Sequence, residues 1–265
     1  MKDNKKIKEI AIKSALIAGE ILRTGFGTCF NIENKEGKNN LVTEYDIRAQ
    51  EAIIKSIKAE FPSHIFLAEE ENEDVNYDPI NATDEVRWII DPLDGTVNFA
   101  HSIPIFSVSI AAELHNEVIC GVIYQPLLNE LFVAEKGKGA LLNDQPIYVT
   151  KNADLDTAFC VTGFPYSVEY ISRTLNFFTH FVKNGNPVRR LGSAALDLAY
   201  VAAGRFDFFW EERLNPWDVA AGKLLVEEAG GKITQYNGEK YSIFDKNIIA
   251  TNGLLHNHCI NILNK

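Results

Sequence analysis

The residues of this sequence best suited to chemistry are two aspartates, Asp91 and Asp94, within the segment Val86 to Phe99 (VRWIIDPLDGTVNF). A short apolar run precedes Asp91, which predicts a buried strand that ends at this aspartate. Pro92 has a fixed φ, and we expect it to turn the chain abruptly so that Asp94 faces the same space as Asp91. Two carboxylates held this close repel each other unless a cation lies between them, and oxygen ligands on a rigid turn suit Mg²⁺.

Gly95 and Thr96 follow the aspartate pair and add donors that a phosphate could use. Gly95 lets the backbone pass close to a ligand, and a helical turn that opens at Thr96 would direct amide groups toward an anion. The same residues are also typical of a structural turn, because aspartate, proline and glycine all favour turns. The segment taken alone therefore predicts either a cation and phosphate site or a purely structural turn.

Further acidic residues lie where a fold could bring them to the same place. Glu69 to Glu71 follow a short apolar strand predicted over residues 64–68, and open sheets bind ligands at the carboxyl ends of their strands. A run of three acids is otherwise simply solvated. Asp46 begins one helical pattern and Asp218 lies in the first turn of another, where a carboxylate caps a helix or complements its dipole. Each acid thus has a structural explanation beside a chemical one.

Two strings of the sequence resemble the signatures of a known family. The string Asp91-Pro-Leu-Asp94-Gly-Thr96 resembles the signature of the inositol monophosphatase family. This family of Mg²⁺-dependent, lithium-sensitive phosphatases includes the bacterial inositol-1-monophosphatases. Residues 217–222 (WDVAAG), followed by EAGG at 228–231, resemble the second signature of that family, in the right order. The resemblance covers essentially the whole chain. It implies a five-layered αβαβα sandwich of the inositol monophosphatase and fructose bisphosphatase type.

The resemblance also implies a role for each acidic position, in a site with two to three Mg²⁺ ions. Thr96 with Asp46 would orient and deprotonate the attacking water. Glu70, next to the metal ligand Glu69, would be a further catalytic residue. The implied metal ligands are Glu69, Asp91, the Leu93 carbonyl, Asp94 and Asp218. The implied substrate-binding residues are Glu69, Leu93, Asp94, Gly95, Thr96, Gly192, Ser193, Ala194, Glu211 and Asp218. Two alternatives stay open, a one-residue shift of register at Glu71 and an exchange of Glu211 with Glu212.

Hydrophobic periodicity indicates the elements that must position these residues. Amphipathic helices are predicted from about residue 7 to Gly25 and from Asp46 to Phe61, and residues 106–134 read as an antiparallel meander. Strands alternate with helices after about residue 150. We therefore expect an α/β (α+β layered) chain in one compact unit. Residues 1–150 would form an N-terminal α+β half with the main metal motif, and residues 151–265 a C-terminal α/β half that completes the metal and substrate site.

Composition excludes several classes of protein. With 265 residues and 46% hydrophobic content the chain can bury a full core. A net charge of -10 argues against binding to nucleic acid or to an anionic membrane, since both need a basic face. The 4 cysteines form no Cys-x-x-Cys pair, so neither a zinc site nor a redox motif is indicated. The first residues lack an uncharged run long enough for a signal peptide or membrane span, which predicts a cytoplasmic protein.

The resemblance implies a hydrolase that cleaves myo-inositol monophosphate and related small phosphate monoesters with metal-activated water. Fructose-1,6-bisphosphatase, histidinol phosphatase and 3′-phosphoadenosine nucleotidase share the metal core, so they remain alternatives. Asn98-Phe99 and Glu211 favour the inositol type over the nucleotidase. Some bacterial relatives also act in transcription complexes, which makes a protein partner the non-enzymatic alternative. We expect a homodimer and a small phosphorylated polyol or sugar as substrate, without direct binding of nucleic acid or membrane.

Overall fold

A computed structural model describes residues 2–29, 31–34, 41–70, 85–165 and 168–264 of the chain. The helices within these ranges are α1 (Lys2–Gly25), α2 (Glu44–Lys58), α3 (Thr96–Ala100), α4 (Ile171–Lys183), α5 (Ala194–Ala202), α6 (Pro216–Glu228) and α7 (His256–Leu263). The strands are β1 (Ile32–Asn34), β2 (Leu41–Thr43), β3 (Ile65–Ala68), β4 (Arg87–Asp94), β5 (Ser107–Leu114), β6 (Glu117–Gln125), β7 (Glu130–Glu135), β8 (Ala140–Leu142), β9 (Gln145–Ile147), β10 (Cys160–Thr162), β11 (Val188–Arg189), β12 (Phe208–Glu212), β13 (Lys232–Thr234) and β14 (Asn247–Thr251).

These strands form two large sheets and one hairpin. The larger sheet has the order β3-β4-β5-β6-β7-β8-β9, in which β3 and β4 are parallel and the later neighbours antiparallel. The second sheet has the order β11-β10-β12-β14-β13, and β10 runs parallel to both β11 and β12. Strands β1 and β2 pair as the hairpin. The parallel pairs matter for function, because parallel neighbours end at the same edge of a sheet.

Both sheets are covered on both faces, as the alternation of side chains along their central strands shows. On β4, Trp88 lies in a core with helices α1 and α2, while Ile89 lies in a second core with α5 and α6. On β12, Phe209 lies in that same second core, while Trp210 lies in a third core with α4 and α7. Successive residues of a strand point to opposite faces, so the layers are helix, sheet, helix, sheet and helix. The predicted αβαβα sandwich is confirmed.

The middle layer joins the two parts of the chain. Its core contains Leu67 and Ala111 from the larger sheet and Val161 from the smaller one, packed with Leu198 and Leu225 of helices α5 and α6. A division of the chain at residue 150 stays a prediction. No helix in the described ranges is long and apolar enough to cross a membrane. All cysteine thiols are free, with Cys29 exposed and the other three buried.

Local geometry corrects two expectations near the predicted site. Strand β4 does not turn at Pro92 but continues to Asp94, with a shift of register against β5 between Asp91 and Asp94. Such an irregularity accommodates a proline, which cannot donate a hydrogen bond to the neighbouring strand. Asp46 does not open helix α2 either. Thr43 is the N-cap, and Asp46 at the third helical position accepts a hydrogen bond from the Thr43 backbone, which completes a capping box.

Candidate active site

A cavity of about 530 Å³ opens where the ends of several strands meet the first turns of helices α5 and α6. Its lining combines residues that are far apart in the sequence. Of the predicted site residues, those that line it are Glu69, Asp91, Leu93, Asp94, Gly95, Thr96, Gly192, Ser193, Ala194, Glu211 and Asp218. The fold therefore brings the carboxyl ends of β3, β4 and β12 to one place. Asp46 and Glu70, which were also predicted, are not part of this lining.

The irregular end of strand β4 fixes the aspartate pair. The Leu93 amide donates a hydrogen bond to Oδ1 of Asp91 at 3.0 Å, which fixes the direction of that side chain. Asp94 Oδ2 accepts two hydrogen bonds from the start of helix α5, from the Ser193 hydroxyl at 2.6 Å and from the Ala195 amide at 2.7 Å. The Ser193 hydroxyl, predicted to contact substrate, thus holds Asp94 in position.

Close backbone approach at this corner requires glycine. Gly95 has a φ of 99°, and a Cβ at that position would lie 3.0 Å from the Ile105 carbonyl oxygen. Only glycine tolerates both the left-handed conformation and the contact. The Asn98 side-chain amide donates to the Ile105 and Leu191 carbonyls at 2.8 Å each, and so fastens the β4 loop to the segment that precedes helix α5.

A chain of hydrogen bonds connects the cavity wall to helix α2. The Thr96 hydroxyl lies 3.1 Å from Oδ1 of Asp46 and 3.0 Å from the Leu93 carbonyl, and it can donate to either. The other oxygen of Asp46 accepts from the Thr43 hydroxyl at 2.6 Å and the Thr43 amide at 2.8 Å. Burial raises the pKa of Asp46 to about 7, against these hydrogen bonds and with a further rise from Glu70 and Glu69. The predicted pairing of Thr96 with Asp46 is present in the structure.

The acids of the cavity strongly oppose one another's ionisation. Burial and the charges of Glu69, Asp94 and Asp218 raise the pKa of Asp91 well above its ordinary value. Asp218 behaves likewise, since burial and the charges of Asp94 and Glu69 raise its pKa. The pKa of Asp94 rises to about 6, mainly through burial and against its hydrogen bonds from Ser193 and Ala195. Ionised together, these groups need a cation close by.

The donor set fits a hard divalent cation. Glu69, Asp91, Asp94 and Asp218 offer oxygen ligands only, as Mg²⁺ prefers, without the nitrogen or sulfur that zinc takes. Within the described ranges, no three His, Cys, Asp or Glu side chains are already arranged as an ion site. The fit therefore depends on the chemistry of the donors and on their shared cavity. Glu69 itself is half-buried at the end of β3, with its amide bound to the Ile90 carbonyl at 3.1 Å.

Glu211 and Glu212 differ in a way that separates their roles. Glu212 accepts a hydrogen bond from the Thr174 hydroxyl at 3.2 Å and lies 3.9 Å from Arg173. Glu211 is only 8% exposed and, within the described part of the chain, its carboxyl forms no hydrogen bond. Burial raises the pKa of Glu211 to about 8, which Arg190 partly opposes and Asp94 reinforces. A buried polar group without a partner in a cavity wall is suited to bind a ligand.

Sequence reasoning missed three charged residues of the lining, Asp197, Arg190 and Arg213. Asp197 lies one turn after Ser193 on helix α5, is buried, and leaves Oδ1 without a hydrogen-bond partner among the described residues. Its pKa is raised well above the ordinary value, by burial and then by Glu211 and Asp94. Helical spacing from Ser193 could have indicated Asp197. No sequence pattern marks Arg190 and Arg213, because their position in the cavity wall depends on how β11 and β12 are placed in the sheet.

Comparison with known proteins agrees with this geometry. The sequence model described as "Inositol monophosphatase family" matches residues 3–265. The chain is 40% identical over 257 residues to a Thermotoga maritima protein named "Fructose-1,6-bisphosphatase/inositol-1-monophosphatase", which covers 97% of this chain and 95% of that protein. It is 41% identical over 246 residues to "Nus factor SuhB" of Escherichia coli K12, covering 92% of this chain and 90% of the relative.

A solved structure shares the fold throughout. The extragenic suppressor protein suhB from Bartonella henselae superposes with a TM-score of 0.90 and 37% sequence identity, over 98% of this chain and 99% of that one. The family match spans nearly every residue, and the relatives are covered almost end to end. The chain therefore belongs to the inositol monophosphatase family of phosphatases.

Proposed function

We propose that this protein is a Mg²⁺-dependent phosphatase that hydrolyses myo-inositol monophosphate and related small phosphate monoesters. The observation that carries the proposal is the meeting of Glu69, Asp91, Asp94 and Asp218 in one cavity whose wall also holds Thr96. Metal-assisted hydrolysis requires oxygen ligands from rigid elements and a group that handles the proton of a water molecule. Residues suited to both tasks line the same cavity.

Different residues of the chain would bind the metal ions and transfer the proton. Glu69, Asp91, the Leu93 carbonyl, Asp94 and Asp218 would hold two to three Mg²⁺ ions. Bound there, Mg²⁺ supplies positive charge that offsets the charge of the phosphate and acidifies water. The Thr96 hydroxyl can donate to Asp46 and accept a hydrogen bond from water, so that as Thr96 takes a proton from the water it passes its own proton to Asp46. Asp46, with a pKa of about 7, can take up the proton that Thr96 passes on near neutral pH.

Glu211 supports a polyol as the alcohol part of the substrate. Its carboxyl is buried in the cavity wall, lacks a hydrogen bond to the described protein, and so can bind a ring hydroxyl. Gly163 makes this position possible, since a Cβ there would lie 2.1 Å from either carboxylate oxygen of Glu211. A carboxyl group placed to bind a ring hydroxyl supports the inositol type of phosphatase over a site that recognises only the phosphate group.

A phosphate-release panel with Mg²⁺ tests the proposal. The substrates would be myo-inositol 1-phosphate, fructose 1,6-bisphosphate, histidinol phosphate, 3′-phosphoadenosine 5′-phosphate and glycerol 2-phosphate. We expect the highest kcat/KM for myo-inositol 1-phosphate, and inhibition by Li⁺, which can occupy an oxygen site with less charge. Release from the nucleotide or histidinol phosphate alone would reassign the substrate, and no release from any substrate would refute the phosphatase proposal.

A second candidate function is a role as a protein partner in transcription. It is favoured by one finding, the 41% identity to a relative named as a Nus factor. Co-purification of the tagged chain with RNA polymerase from its own organism tests this role, and absence of the polymerase would count against it.

We also propose a homodimer, supported by the exposed apolar residues Leu175 and Val182, one heptad apart on helix α4. Sedimentation equilibrium would measure the mass.

A further inference from the structure

One polar side chain interrupts the apolar inward face of helix α2. The buried residues of this helix include Ile53, Ile54 and Ile57, which lie in a core shared with helix α1 and strand β4. Gln50 belongs to the same face and is only 4% exposed. Burial of an amide side chain is unfavourable unless its polar atoms form hydrogen bonds. The partner of Gln50 therefore shows what this residue contributes.

The partner of Gln50 is the backbone just after strand β3. Oε1 of Gln50 accepts a hydrogen bond from the Glu70 amide at 3.1 Å. In the described part of the chain, β3 is an edge strand of the larger sheet. An edge strand leaves every second N–H group without a partner in its sheet. Gln50 supplies an acceptor on the side where the sheet has none.

The two peptide units that flank Glu69 are held from different directions. The Glu69 amide donates to the Ile90 carbonyl of strand β4 at 3.1 Å. The next amide along the chain, that of Glu70, donates to Gln50 of helix α2. Successive N–H groups of an extended chain point to opposite sides. The two hydrogen bonds therefore restrain the backbone that carries the Glu69 side chain from both sides.

Helix α2 thus supports the cavity at two points that are one turn apart. Asp46 lies 3.1 Å from the Thr96 hydroxyl of the cavity wall, and Gln50, four residues later, binds the Glu70 amide. Residues four apart lie on the same face of a helix. The start of the helix is fixed by the capping box at Thr43. A single rigid helix therefore sets the position of the β3 end relative to Thr96.

We infer that Gln50 is a positioning residue of the metal site, which acts through the backbone of Glu69. Gln50 does not line the cavity, so it touches neither metal nor substrate. The inference rests on the proposed Mg²⁺-dependent function, in which Glu69 is a ligand. Mg²⁺ requires its ligands close to ideal octahedral positions, so a ligand at the end of an edge strand needs a second restraint. Gln50 provides that restraint.

The test measures Mg²⁺ binding directly, by isothermal titration calorimetry without substrate. Gln50→Met keeps the length and the helix preference of the side chain but replaces the amide with a thioether, a poor acceptor. We expect the dissociation constant of Mg²⁺ to rise roughly tenfold or more, the usual effect of losing a group that orients a ligand. Gln50→Asn should act likewise, because its shorter side chain does not reach the Glu70 amide.

Two further variants separate the hydrogen bond from packing. Gln50→Glu keeps an oxygen acceptor at the same distance, so it should not weaken Mg²⁺ binding by more than about threefold. Ser14→Ala removes the hydrogen bond from Ser14 to the Ser56 hydroxyl at 3.0 Å, which joins helices α1 and α2 away from the cavity. We expect this control to lower the melting temperature and to leave the dissociation constant of Mg²⁺ unchanged.

Each outcome decides a stated claim. Mg²⁺ binding within about twofold of the wild type in Gln50→Met and Gln50→Asn would overturn the role of Gln50 alone. Equal weakening in Gln50→Met and Gln50→Glu would also overturn it, because the acceptor would not be the cause. If Gln50→Met does not fold, Gln50→Asn decides.

The wild-type protein separates this inference from the proposed function. A wild type that binds Mg²⁺ and releases no phosphate from any substrate would refute the phosphatase proposal and leave the role of Gln50 in metal binding standing. A wild type that binds no Mg²⁺ would overturn both.

Discussion

The role proposed for each carboxyl group in this cavity follows from its hydrogen-bond partners. Asp94 is held by Ser193 and Ala195, and Asp46 is held by Thr43. Each of these acids is thereby oriented by the protein. Glu211 has no such partner among the described residues. Oriented acids suit roles in metal binding and proton transfer, whereas an unbound acid in a cavity suits the recognition of substrate.

Replacement of Thr96 tests the proton relay. Thr96→Val keeps the shape of the side chain but removes the hydroxyl that lies 3.1 Å from Asp46. We expect kcat to fall by about 10² to 10⁴, the usual contribution of general acid–base catalysis, with little change in KM. Thr96→Ser, which retains the hydroxyl, should recover most of the rate in a phosphate-release assay. Equal losses in both variants would place the effect in packing and not in the hydroxyl.

Replacement of Glu211 tests the recognition of a ring hydroxyl. Glu211→Ala should lose about 1.5 to 3 kcal/mol of transition-state binding toward myo-inositol 1-phosphate, and much less toward glycerol 2-phosphate, which cannot make that contact. Glu212→Ala is the matched control, because Glu212 is bound by Thr174 and should not discriminate between the substrates. The measurement is kcat/KM for both substrates. Equal losses on both in Glu211→Ala would argue for an effect on the metal site instead.

Sequence reasoning identified Asp91, Asp94 and Asp218 because each stands in a short local string. Asp91 and Asp94 are three residues apart, and Asp218 lies in a second string that could be read alone. It did not identify Arg190 or Arg213, whose position in the lining depends on how β11 and β12 are placed in the sheet. It also left the choice between Glu211 and Glu212 open. Burial and hydrogen-bond partners separate these two, and neither is visible in the sequence.

At the scale of secondary structure, the site depends on how strands and helices end. Helices α2 and α6 each begin with a capping box, closed by Asp46 and by Asp218. In α6, Asp218 Oδ2 accepts a hydrogen bond from the Asn215 amide at 2.6 Å. Both proposed functional acids thus also satisfy backbone groups at a helix start, which fixes their direction. The structural and the chemical interpretations of these residues therefore both apply.

Contact between sheet and helix gives a test at this scale. A Cβ on Gly121 of strand β6 would lie 2.9 Å from the carbonyl oxygen and 3.0 Å from the Cα of Ala221 in helix α6. Backbone atoms cannot move aside as a side chain can, so Gly121→Ala should destabilise the fold by about 3 kcal/mol. Chemical denaturation would measure this. Gly27→Ala, at a φ of 76° in open space, should cost only about 1 kcal/mol.

Element boundaries show where prediction from sequence ended. Helix α1 ends at Gly25 as predicted, because apolar periodicity and a glycine both mark the end. Strand β4 passes through Pro92, which the sequence predicted as a turn, because the register shift against β5 removes the need for a donor there. Local preference was overridden by the neighbouring strand. Long periodic helices are legible in sequence, whereas strand irregularities depend on the partner.

At the scale of the whole molecule, the acids of the cavity should make the metal-free protein less stable as pH rises. Burial raises the pKa of Asp94 to about 6, of Asp46 to about 7 and of Glu211 to about 8, from ordinary values of 3.8, 3.8 and 4.5. The folded state therefore retains protons that the unfolded chain has lost. The free energy of unfolding should fall between pH 4 and pH 8, since the folded state binds more protons there.

Groups whose pKa is lowered in the folded state oppose this trend. Burial lowers the pKa of His256 from 6.5 to about 4, so His256 adds stability as pH rises across that interval. Hydrogen bonds from Lys6 and Lys136 lower the pKa of the exposed Glu60 and Glu117, which act in the same direction near pH 4. Thermal unfolding in EDTA across pH 4 to 8 would measure the balance. Addition of Mg²⁺ should raise the melting temperature most at pH 8, where its ligands are ionised. A melting temperature in EDTA that rises steadily to pH 8 would contradict this account.

The most direct test of the central claim is the Mg²⁺ dependence of phosphate release from myo-inositol 1-phosphate, in the wild-type protein and in Asp91→Asn. Burial and the charges of Glu69, Asp94 and Asp218 oppose the ionisation of Asp91, and an amide supplies neither its charge nor its second anionic oxygen. We expect release that requires Mg²⁺ in the wild type. It should fall at least about a hundredfold in a folded Asp91→Asn variant. Near wild-type turnover in that variant, or release that persists in EDTA, would contradict the claim.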